Sequence, residues 1–426
     1  MNHFFPDLMK ELDLLPDARK RKQYQTAELG MAAITLFLFK QGSRNAYNND
    51  RKEKQFLDNY QKLFDMSLPH LDTPDEFFRD LHDDGLEQIK ARMVSRLIRN
   101  KVIEAEKFRG YYVVAIDGTG IASYNKRHCD CCLTKTSKNG VTTYFHNVLE
   151  AKLLTPSGLS LSMATEWINN EGKDEYEKQD CEREAFKRLA KKLKKLYPRL
   201  PIVITADGLY PWDGFFEICG QNIWKYIVVL KDGSLKSFQE EVYVEKMIAQ
   251  KQITDVKRAA KNKLITLNYQ WLKELPYRKH RINYVECHET TVFVKSKTTS
   301  LQRFVHITNF DVGSKLCDGI SFTGRLRQKI ENEGFNTQKN QGYALEHKFS
   351  RVSFQAMKNY YQCLQIAHII NQLVEASQTI KTVKDKVLKC TIKYLWKRLL
   401  SHLLENIIDE NEIHALVSKP FQIRLA

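Results

Sequence analysis

The sequence predicts a mixed α/β protein whose β-sheet core is flanked by helical regions. Three observations predict this class. Residues 1–105 have helical patterning. Between residues 106 and 233, runs of β-branched and aromatic residues alternate with helical stretches, which is typical of a sheet with helices packed on it. Helical patterning returns at about residue 323 and continues to the end.

Composition and charge restrict the class further. The chain has 426 residues, enough for about two to four domains. Hydrophobic residues make up 42% and charged residues 28%, which indicates a globular rather than a disordered protein. The formal net charge of +16 predicts a polyanionic partner, most often nucleic acid and less often an anionic membrane face.

Several features favour a cytoplasmic protein without a membrane span. No apolar run approaches the roughly 20 residues that cross a bilayer. The longest, residues 31–39, is interrupted by Thr35 and predicts a buried helix. The first residues lack the basic and then apolar pattern of a secretory signal. The nine cysteines are an odd number and mostly scattered, which predicts reduced thiols in a cytosol.

The helical region 1–105 is the candidate DNA-binding region at the N-terminal end. Its last predicted helix, about residues 86–102, carries a basic polar face. These cations either form a solvated face or contact DNA phosphates. They are Lys90, Arg92, Arg96, Arg99 and Lys101.

The region 106–233 is predicted as the first part of a catalytic core. Its elements follow the order β-β-β-α-β-α-β, which is the order of a ribonuclease H-like sheet with helices packed on it. A Pro156-Ser157-Gly158 sequence between the second and third strands is typical of a hairpin turn. The strands are expected at about 111–116, 144–154, 159–168, 201–206 and 224–230, and the helices at 178–197 and 212–219.

The remaining chain divides into three predicted parts. Residues 234–320 show short alternating segments and predict a β-rich insertion into the core. Residues 321–352 predict a core helix that carries an acidic site residue. Residues 353–426 predict a helical C-terminal region.

Two predicted strands end in an aspartate followed by glycine. Asp117 follows VVAI and Asp207 follows VITA. An Asp-Gly pair alone is common in plain turns. These two strands, however, are the first and fourth of the order, which are neighbours in a ribonuclease H-like sheet, so the carboxylates are expected to converge. Converging carboxylates raise one another's pKa, and Mg²⁺ resolves the repulsion because it prefers oxygen ligands.

A third acid is expected from the helix after the fifth core strand. Arg327 and Glu331 are four residues apart and therefore share a helix face. The alternative is an ordinary surface ion pair, which contributes well under about 1 kcal/mol.

Three segments resemble the acidic motifs of bacterial insertion-sequence DDE transposases. They are AIDGTG at 115–120, TADGLY at 205–210 and RQKIENEGFNTQK at 327–339. The resemblance covers roughly residues 105–352, and the predicted β-rich insertion fits the same branch of the family. In that branch the last acid lies in a Tyr-x-x-Arg-x-x-x-Glu-x6-Lys signature, and Arg327 and Glu331 match its Arg and Glu.

Two positions depart from the signature. Gly324 stands where the family has Tyr. Gln338 stands where it has Lys, and Lys339 follows one residue late. An additional residue in the Glu-Asn-Glu-Gly stretch would explain this shift.

The resemblance implies a mechanism and partners. Asp117, Asp207 and Glu331 would hold two Mg²⁺ (or Mn²⁺) ions roughly 3.5–4 Å apart. These ions would support nicking of transposon ends and then attack of the freed 3′-hydroxyl on target DNA. Arg327 and Lys339 would contact phosphates near the scissile bond. The expected partner is double-stranded DNA, both terminal repeats and target, bound by a homodimer in a synaptic complex at the bacterial nucleoid, with no membrane partner.

Three other functions remain open at this stage. A metal-dependent endonuclease on the same core would cleave transposon ends without joining them. A catalytically inactive transposase relic would bind DNA only. A generic basic DNA-binding protein would bind without metal and without cleavage.

Further residues are candidates for DNA or metal binding. The resemblance implies that an aromatic residue of the insertion stacks on a flipped base; Trp271 fits this role, although a tryptophan is more often part of a core. The basic runs 178–199 and 381–398 are either DNA tracks or solvated helix faces. A structural zinc would be ligated by a Cys/His cluster, the alternative being a loop with reduced thiols. Its candidate ligands are Cys129, Cys132, His146 and Cys181.

Overall fold

The computed structural model describes residues 4–170, 180–248, 253–260 and 262–418. Within these ranges the N-terminal part is helical. Helix α2 contains residues 31–38 of the predicted apolar run, and all of them are buried, so the prediction of a buried helix is confirmed. No helix of the described ranges combines the length and the apolar content needed to cross a membrane. The helices are α1 (Leu8–Asp13), α2 (Thr26–Leu38), α3 (Arg44–Asp50), α4 (Lys54–Phe64), α5 (Asp72–Asp80) and α6 (Asp84–Arg99).

The middle of the chain forms a mixed sheet with helices packed on it, as predicted. Strands β1, β5 and β6 run parallel to one another, whereas β3 pairs antiparallel with β1 and with β4. The predicted hairpin between β3 and β4 is present, and Gly158 in its turn has a φ of +105°. The elements are β1 (Tyr112–Tyr124), β2 (Leu133–Thr136), β3 (Thr142–Leu154), β4 (Ser160–Ile168), α7 (Glu182–Leu196), β5 (Ile202–Ala206), α8 (Asp213–Gln221) and β6 (Lys225–Val229).

Strand β1 is longer than the sequence suggests. The Asp117-Gly118 pair was expected to end the strand, but β1 continues through it to Tyr124. The reason is the pairing with β3, which places Asp117 opposite Glu150 and continues beyond it. Parallel pairing with β5 covers only the first part of β1. Asp117 therefore lies within an extended strand, at the level where β5 ends.

The predicted insertion continues the core sheet. Strand β10 pairs antiparallel with β6, and β9, β8 and β7 follow in that order toward the edge. The region is β-rich, but it begins with a helix that the sequence analysis did not predict. Its elements are α9 (Lys236–Ile248), β7 (Ile253–Ala260), β8 (Lys263–Tyr277), β9 (His280–Phe293) and β10 (Thr298–Thr308).

The C-terminal part is helical, and one of its helices lies at the centre of the molecule. Helix α12 is buried along most of its length and packs against α2, α5, α6 and β4. The helical regions at both ends of the chain therefore share one hydrophobic core with the sheet. The elements are α10 (Cys317–Arg325), a π-helical segment (Ile330–Asn336), α11 (Thr337–Asn340), α12 (Phe354–Ala376), α13 (Gln378–Thr382), a second π-helical segment (Val383–Val387), α14 (Ile392–Glu405) and α15 (Glu410–Val417).

Three cations of the basic face expected on α6 interact with other residues of the protein. Lys90 is fully buried, and its Nζ donates a hydrogen bond to Thr165 Oγ1 at 2.6 Å. Arg92 pairs with Glu11 at 2.7 Å. Arg96 likewise pairs with Asp7 on the N-terminal segment. Lys90 therefore links α6 to β4, and the two arginines link it to the N-terminal segment.

We expect Lys90→Ala to destabilise the protein by about 3–5 kcal/mol, because removing one partner leaves buried opposite charges uncompensated. Glu150 and Glu87 are the carboxylates whose charges act on Lys90. The matched control is Arg99→Ala, since Arg99 lies exposed on the same helix. Urea unfolding of both variants measures the difference. Equal stabilities would show that Lys90 has no structural role.

Candidate functional site

Two aspartates lie side by side where the parallel strands β1 and β5 meet the edge of the sheet. Ala115 stands opposite Thr205 in the parallel register. Asp117 lies two residues after Ala115, and Asp207 lies two residues after Thr205. Because adjacent strands are about 4.8 Å apart, the two aspartates are neighbours across the strand pair. The prediction that their two strands are neighbours is confirmed.

The carboxyl group of Asp117 is partly buried and electrostatically strained. Burial raises its pKa to about 6, and the nearby Arg327 counteracts this rise. The charges of Glu331 and Asp207 contribute to this rise, so both carboxylates lie close enough to Asp117 to disfavour its ionised form. The backbone N–H of Gly118 donates to Asp117 Oδ1 at 3.0 Å and stabilises the charge.

Glu331 reaches this site from a π-helical segment rather than from an ordinary α-helix. Ile330 and Phe335 of the segment are buried, whereas Glu331 is exposed. The segment packs against β1 and β4, which brings Glu331 toward Asp117. Single π-turns inside helices are frequent at functional sites because they redirect one side chain.

Each aspartate has a cationic partner. Arg327 Nη1 lies 3.4 Å from Asp117 Oδ2, so this arginine contacts the first acid. Lys231 Nζ lies 2.7 Å from Asp207 Oδ2. Lys231 follows strand β6 and was not selected in the sequence analysis. The sequence feature that could have identified it is the Lys-Asp-Gly sequence after β6, the parallel neighbour of β5. This sequence also has the composition of an ordinary turn.

Glu182 is a fourth acid at the site, and sequence reasoning missed it. A Cβ atom at Gly118 would lie only 2.8 Å from Glu182 Oε1, which shows how closely this carboxyl approaches β1. Burial raises the pKa of Glu182, and the charges of Asp117 and Asp207 add to the rise. Tyr210 donates a hydrogen bond to Glu182 Oε2 at 3.5 Å. In the sequence, Glu182 resembles the ordinary acidic first turn of a basic helix.

The departures from the Tyr/Arg/Glu/Lys signature have structural reasons. A Cβ at Gly324 would lie 2.4 Å from the His306 ring, so a tyrosine does not fit there. Gln338 is fully buried and hydrogen-bonds Gln365 at 2.9 Å.

The π-helical segment accounts for the one-residue shift of the lysine. Lys339 is eight residues after Glu331, and a π-turn absorbs one additional residue. By ideal helix geometry the offset then equals seven α-helical residues, nearly two full turns. Lys339 forms an ion pair with Glu346 at 3.2 Å.

Trp271 lies in a different environment from the expected stacking platform. It stands on β8 opposite Val285, and only 8% of its surface is exposed. It belongs to the hydrophobic core. Its ring therefore packs within the protein in this structure, and the core alternative describes it better.

The Cys/His cluster is assembled, with one change in its membership. Cys129 Sγ lies 3.8 Å from Cys132 Sγ, and His146 Nε2 lies 3.5 Å from each sulfur. His128 joins Cys129 and His146 in a group of ligand atoms within 4.8 Å of one another. Cys132 lies outside that group and is linked to it by its distances to Cys129 and His146. Cys181, the expected fourth ligand, has neither connection and is the N-cap residue of α7.

Burial affects the protonation of this cluster. It lowers the pKa of His146 to about 4, which keeps the imidazole neutral. The pKa of the Cys129 thiol is raised by its hydrogen bond with Cys131 and by burial.

The basic run on α7 forms an exposed line that begins next to Glu182. Residues 178 and 179 of the predicted run lie outside the described residues. Arg183, Lys187 and Lys191 are exposed at intervals of four. Arg183 and Lys187 lie 5.9 and 5.6 Å from the centre of the Trp212 ring. A cavity of about 520 Å³ runs between α7 and α8 next to this line. In the second run, Lys393, Lys397 and Arg398 are exposed on α14.

No protein-family model matches this chain, and no curated protein matches it either. The function is therefore inferred from the fold and the site.

We expect Asp117→Asn to stabilise the metal-free protein at pH 7.5 by on the order of 1–3 kcal/mol. The folded-state pKa of about 6 exceeds the ordinary value of 3.8, so the folded state holds this proton more tightly. The carboxyl therefore opposes folding above pH 6, and the stabilisation by asparagine disappears as the pH falls to about 4.

Urea unfolding in the presence of EDTA at several pH values measures this effect. Asp311→Asn is the control, because Asp311 is an exposed aspartate paired only with the exposed Lys273. An Asp117→Asn variant that is less stable than the parent at pH 7.5 would contradict the expectation.

Proposed function

We propose that this protein is a DDE-type DNA transposase, which cleaves DNA at transposon ends in a Mg²⁺-dependent reaction and joins the freed ends to target DNA. The observation that carries the proposal is the convergence of Asp117, Asp207 and Glu331 on one edge of the sheet. Three acids from distant parts of the chain share this site. Their order and spacing in the sequence resemble the motifs of that family.

The topology of the sheet supports a ribonuclease H-like core. The five core strands lie in the spatial order β4–β3–β1–β5–β6. Strands β1, β5 and β6 are parallel, and β3 is antiparallel to its neighbours. This arrangement places the first and fourth core strands side by side, as a ribonuclease H-like sheet requires. The insertion joins after the fifth core strand and leaves this order intact.

The donor set fits Mg²⁺. All three acids offer carboxylate oxygens, which this hard cation prefers. Burial is the main cause of the raised pKa of Asp117, and the charges of Glu331 and Asp207 add to it; a divalent cation would relieve this repulsion between the acids. When bound, a metal pair supplies an activated nucleophile and stabilises the leaving oxygen during phosphoryl transfer. Asp117, Asp207 and Glu331 would hold it, with Glu182 adjacent to the same centre.

The cations of the site are suited to DNA phosphates. Arg327 lies next to Asp117 and presents a planar set of donors that matches a phosphate group. Lys231 adds a point charge next to Asp207. Both side chains would orient the phosphates that flank the scissile bond.

Helix α7 would guide DNA toward the acids. It begins at Glu182 in the site, and the exposed line of Arg183, Lys187 and Lys191 leads away along one face. Trp212 lies under the first two of these cations and limits their freedom. A phosphate backbone placed along this line would meet positive charge at each helical turn.

We expect Asp207→Asn and Glu331→Gln each to reduce Mg²⁺-dependent nicking of the element's own ends by at least about 10²–10³-fold, with DNA binding retained. The physical reason is the loss of a charged metal ligand. Gel assays on labelled end DNA measure both properties.

Glu333→Gln is the matched control. Glu333 lies on the same π-helical segment and pairs with Lys329 at 3.1 Å, so this variant should cleave normally. Full cleavage by either triad variant would remove that residue from the site. Joining of a pre-cleaved 3′-hydroxyl end to target DNA separates a transposase from an endonuclease; cleavage without joining would favour the endonuclease.

We expect the Lys187→Ala/Lys191→Ala double variant to bind DNA more weakly and with a lower salt dependence. Each lost phosphate contact reduces the slope of log K against log salt by about 0.9, so the pair should reduce it by about 2. Fluorescence anisotropy at several salt concentrations measures the slope. The control is Lys257→Ala/Lys295→Ala, two exposed lysines of the insertion. Equal slopes for both double variants would place the DNA elsewhere.

A further inference from the structure

We propose that this chain binds one structural zinc ion through His128, Cys129, Cys132 and His146. The ligands come from the loop after β1 and from strand β3. The site is separate from the acidic centre, because thiolates and imidazoles are ligands for zinc rather than for Mg²⁺. The proposal does not depend on the transposase function.

The spacing of three of these atoms matches a tetrahedral zinc site. With Zn–S near 2.3 Å and Zn–N near 2.05 Å, two sulfurs are expected about 3.8 Å apart and each sulfur about 3.6 Å from the nitrogen. The structure has 3.8 Å between the Cys129 and Cys132 sulfurs and 3.5 Å from each sulfur to His146 Nε2. The sulfur–sulfur distance is too long for a disulfide, which requires about 2.05 Å.

His128 has the hydrogen-bond pattern of a metal-bound histidine. Its Nε2 lies 2.8 Å from the Arg351 carbonyl oxygen, so this nitrogen carries the proton and donates. Its Nδ1 is then an acceptor, and it is buried without a hydrogen-bond partner. Metal-bound histidines characteristically donate their second N–H to a carbonyl or carboxylate, which fixes the tautomer and the ring.

The two imidazole rings are held in place by aromatic contacts. The His128 ring stacks on the Tyr124 ring with 4.4 Å between the ring centres, and the His146 ring stacks on the Phe354 ring with 3.9 Å between the ring centres. His146 is fully buried on β3, opposite Ala122 of β1. Cys129, Cys132 and His146 are therefore held close together before any ion arrives, and His128 lies near Cys129 and His146. On zinc binding the two thiols would release their protons to solvent.

The position of the site explains what a zinc ion would do. It would connect the end of β1 to β3 and, through Arg351 and Phe354, to the chain that enters α12. Asp117 lies on the same strand, five residues before Ala122. A zinc ion here would brace the strand that carries the first acid without touching the acid itself.

Two further cysteines lie near the proposed ligands in the sequence or were candidates for the fourth position. Cys131 neighbours Cys129, and its carbonyl oxygen accepts a hydrogen bond from the Asn170 N–H at 3.4 Å. Cys181 caps α7. The test therefore includes both cysteines as controls.

The experiment measures metal in the full-length protein purified under reducing conditions without chelator. We expect about one zinc ion per chain by inductively coupled plasma mass spectrometry. We also expect Co²⁺, added to protein stripped of metal, to produce a thiolate-to-cobalt charge-transfer band and the visible bands of a tetrahedral ion. Neither readout depends on DNA cleavage or on any variant.

Variants then assign the ligands. Cys129→Ser, Cys132→Ser, His146→Asn and His128→Asn should each weaken zinc binding by at least about tenfold. Cys131→Ser and Cys181→Ser should keep one zinc per chain and the tetrahedral cobalt spectrum. The proposal is overturned if the parent protein holds no zinc and gives no such spectrum. It is also overturned if His128→Asn binds zinc normally, or if either control cysteine proves necessary.

Discussion

The parallel pairing of β1 with β5 is the constraint on which the candidate site depends. It fixes Asp117 and Asp207 side by side, although 90 residues separate them in the chain. The pairing is set by the apolar residues before each aspartate, which are buried in the sheet. A shift by one residue would turn one carboxylate to the opposite face of the sheet. The hydrophobic core thus determines the geometry of a polar centre at its edge.

The site combines unfavourable charge with rigid support. Four carboxyl groups converge there. Burial raises the pKa values of Asp117 and Glu182, and the charges of the neighbouring carboxylates add to the rise. Arg327 and Lys231 compensate part of this charge. Such an arrangement opposes folding of the metal-free protein, and the proposed function assigns it to the binding of divalent cations and DNA phosphates. Proteins commonly accept this cost at functional sites.

The helical regions support the core from one continuous hydrophobic layer. Helix α12 packs on helices from the N-terminal region and on β4 at the same time. Three buried hydrogen bonds link polar groups of these elements: Lys152 donates to Gln365, and Ser162 and Thr165 donate to Glu150. The N-terminal helices and the acids of the candidate site therefore belong to one packed unit, and changes in either are expected to affect the other.

The sequence by itself determined the class of fold and most of the acidic site. Apolar runs predicted β1, β3, β4, β5 and β6, because burial on both faces leaves a pattern that can be read locally. Asp117 and Asp207 were proposed from the ends of such runs. Glu331 was proposed from the resemblance of residues 327–339 to the third acidic motif, because its spacing to Arg327 alone also fits an ordinary ion pair.

Only the tertiary structure decided the partners of these residues. Glu182, Lys231 and His128 join their sites through contacts between elements distant in the chain, and local sequence holds no record of such contacts. Trp271 and Lys90 look available in the sequence but are buried. The physical reason is that burial and pairing depend on which elements pack together, whereas the periodicity of a segment reports only its own secondary structure.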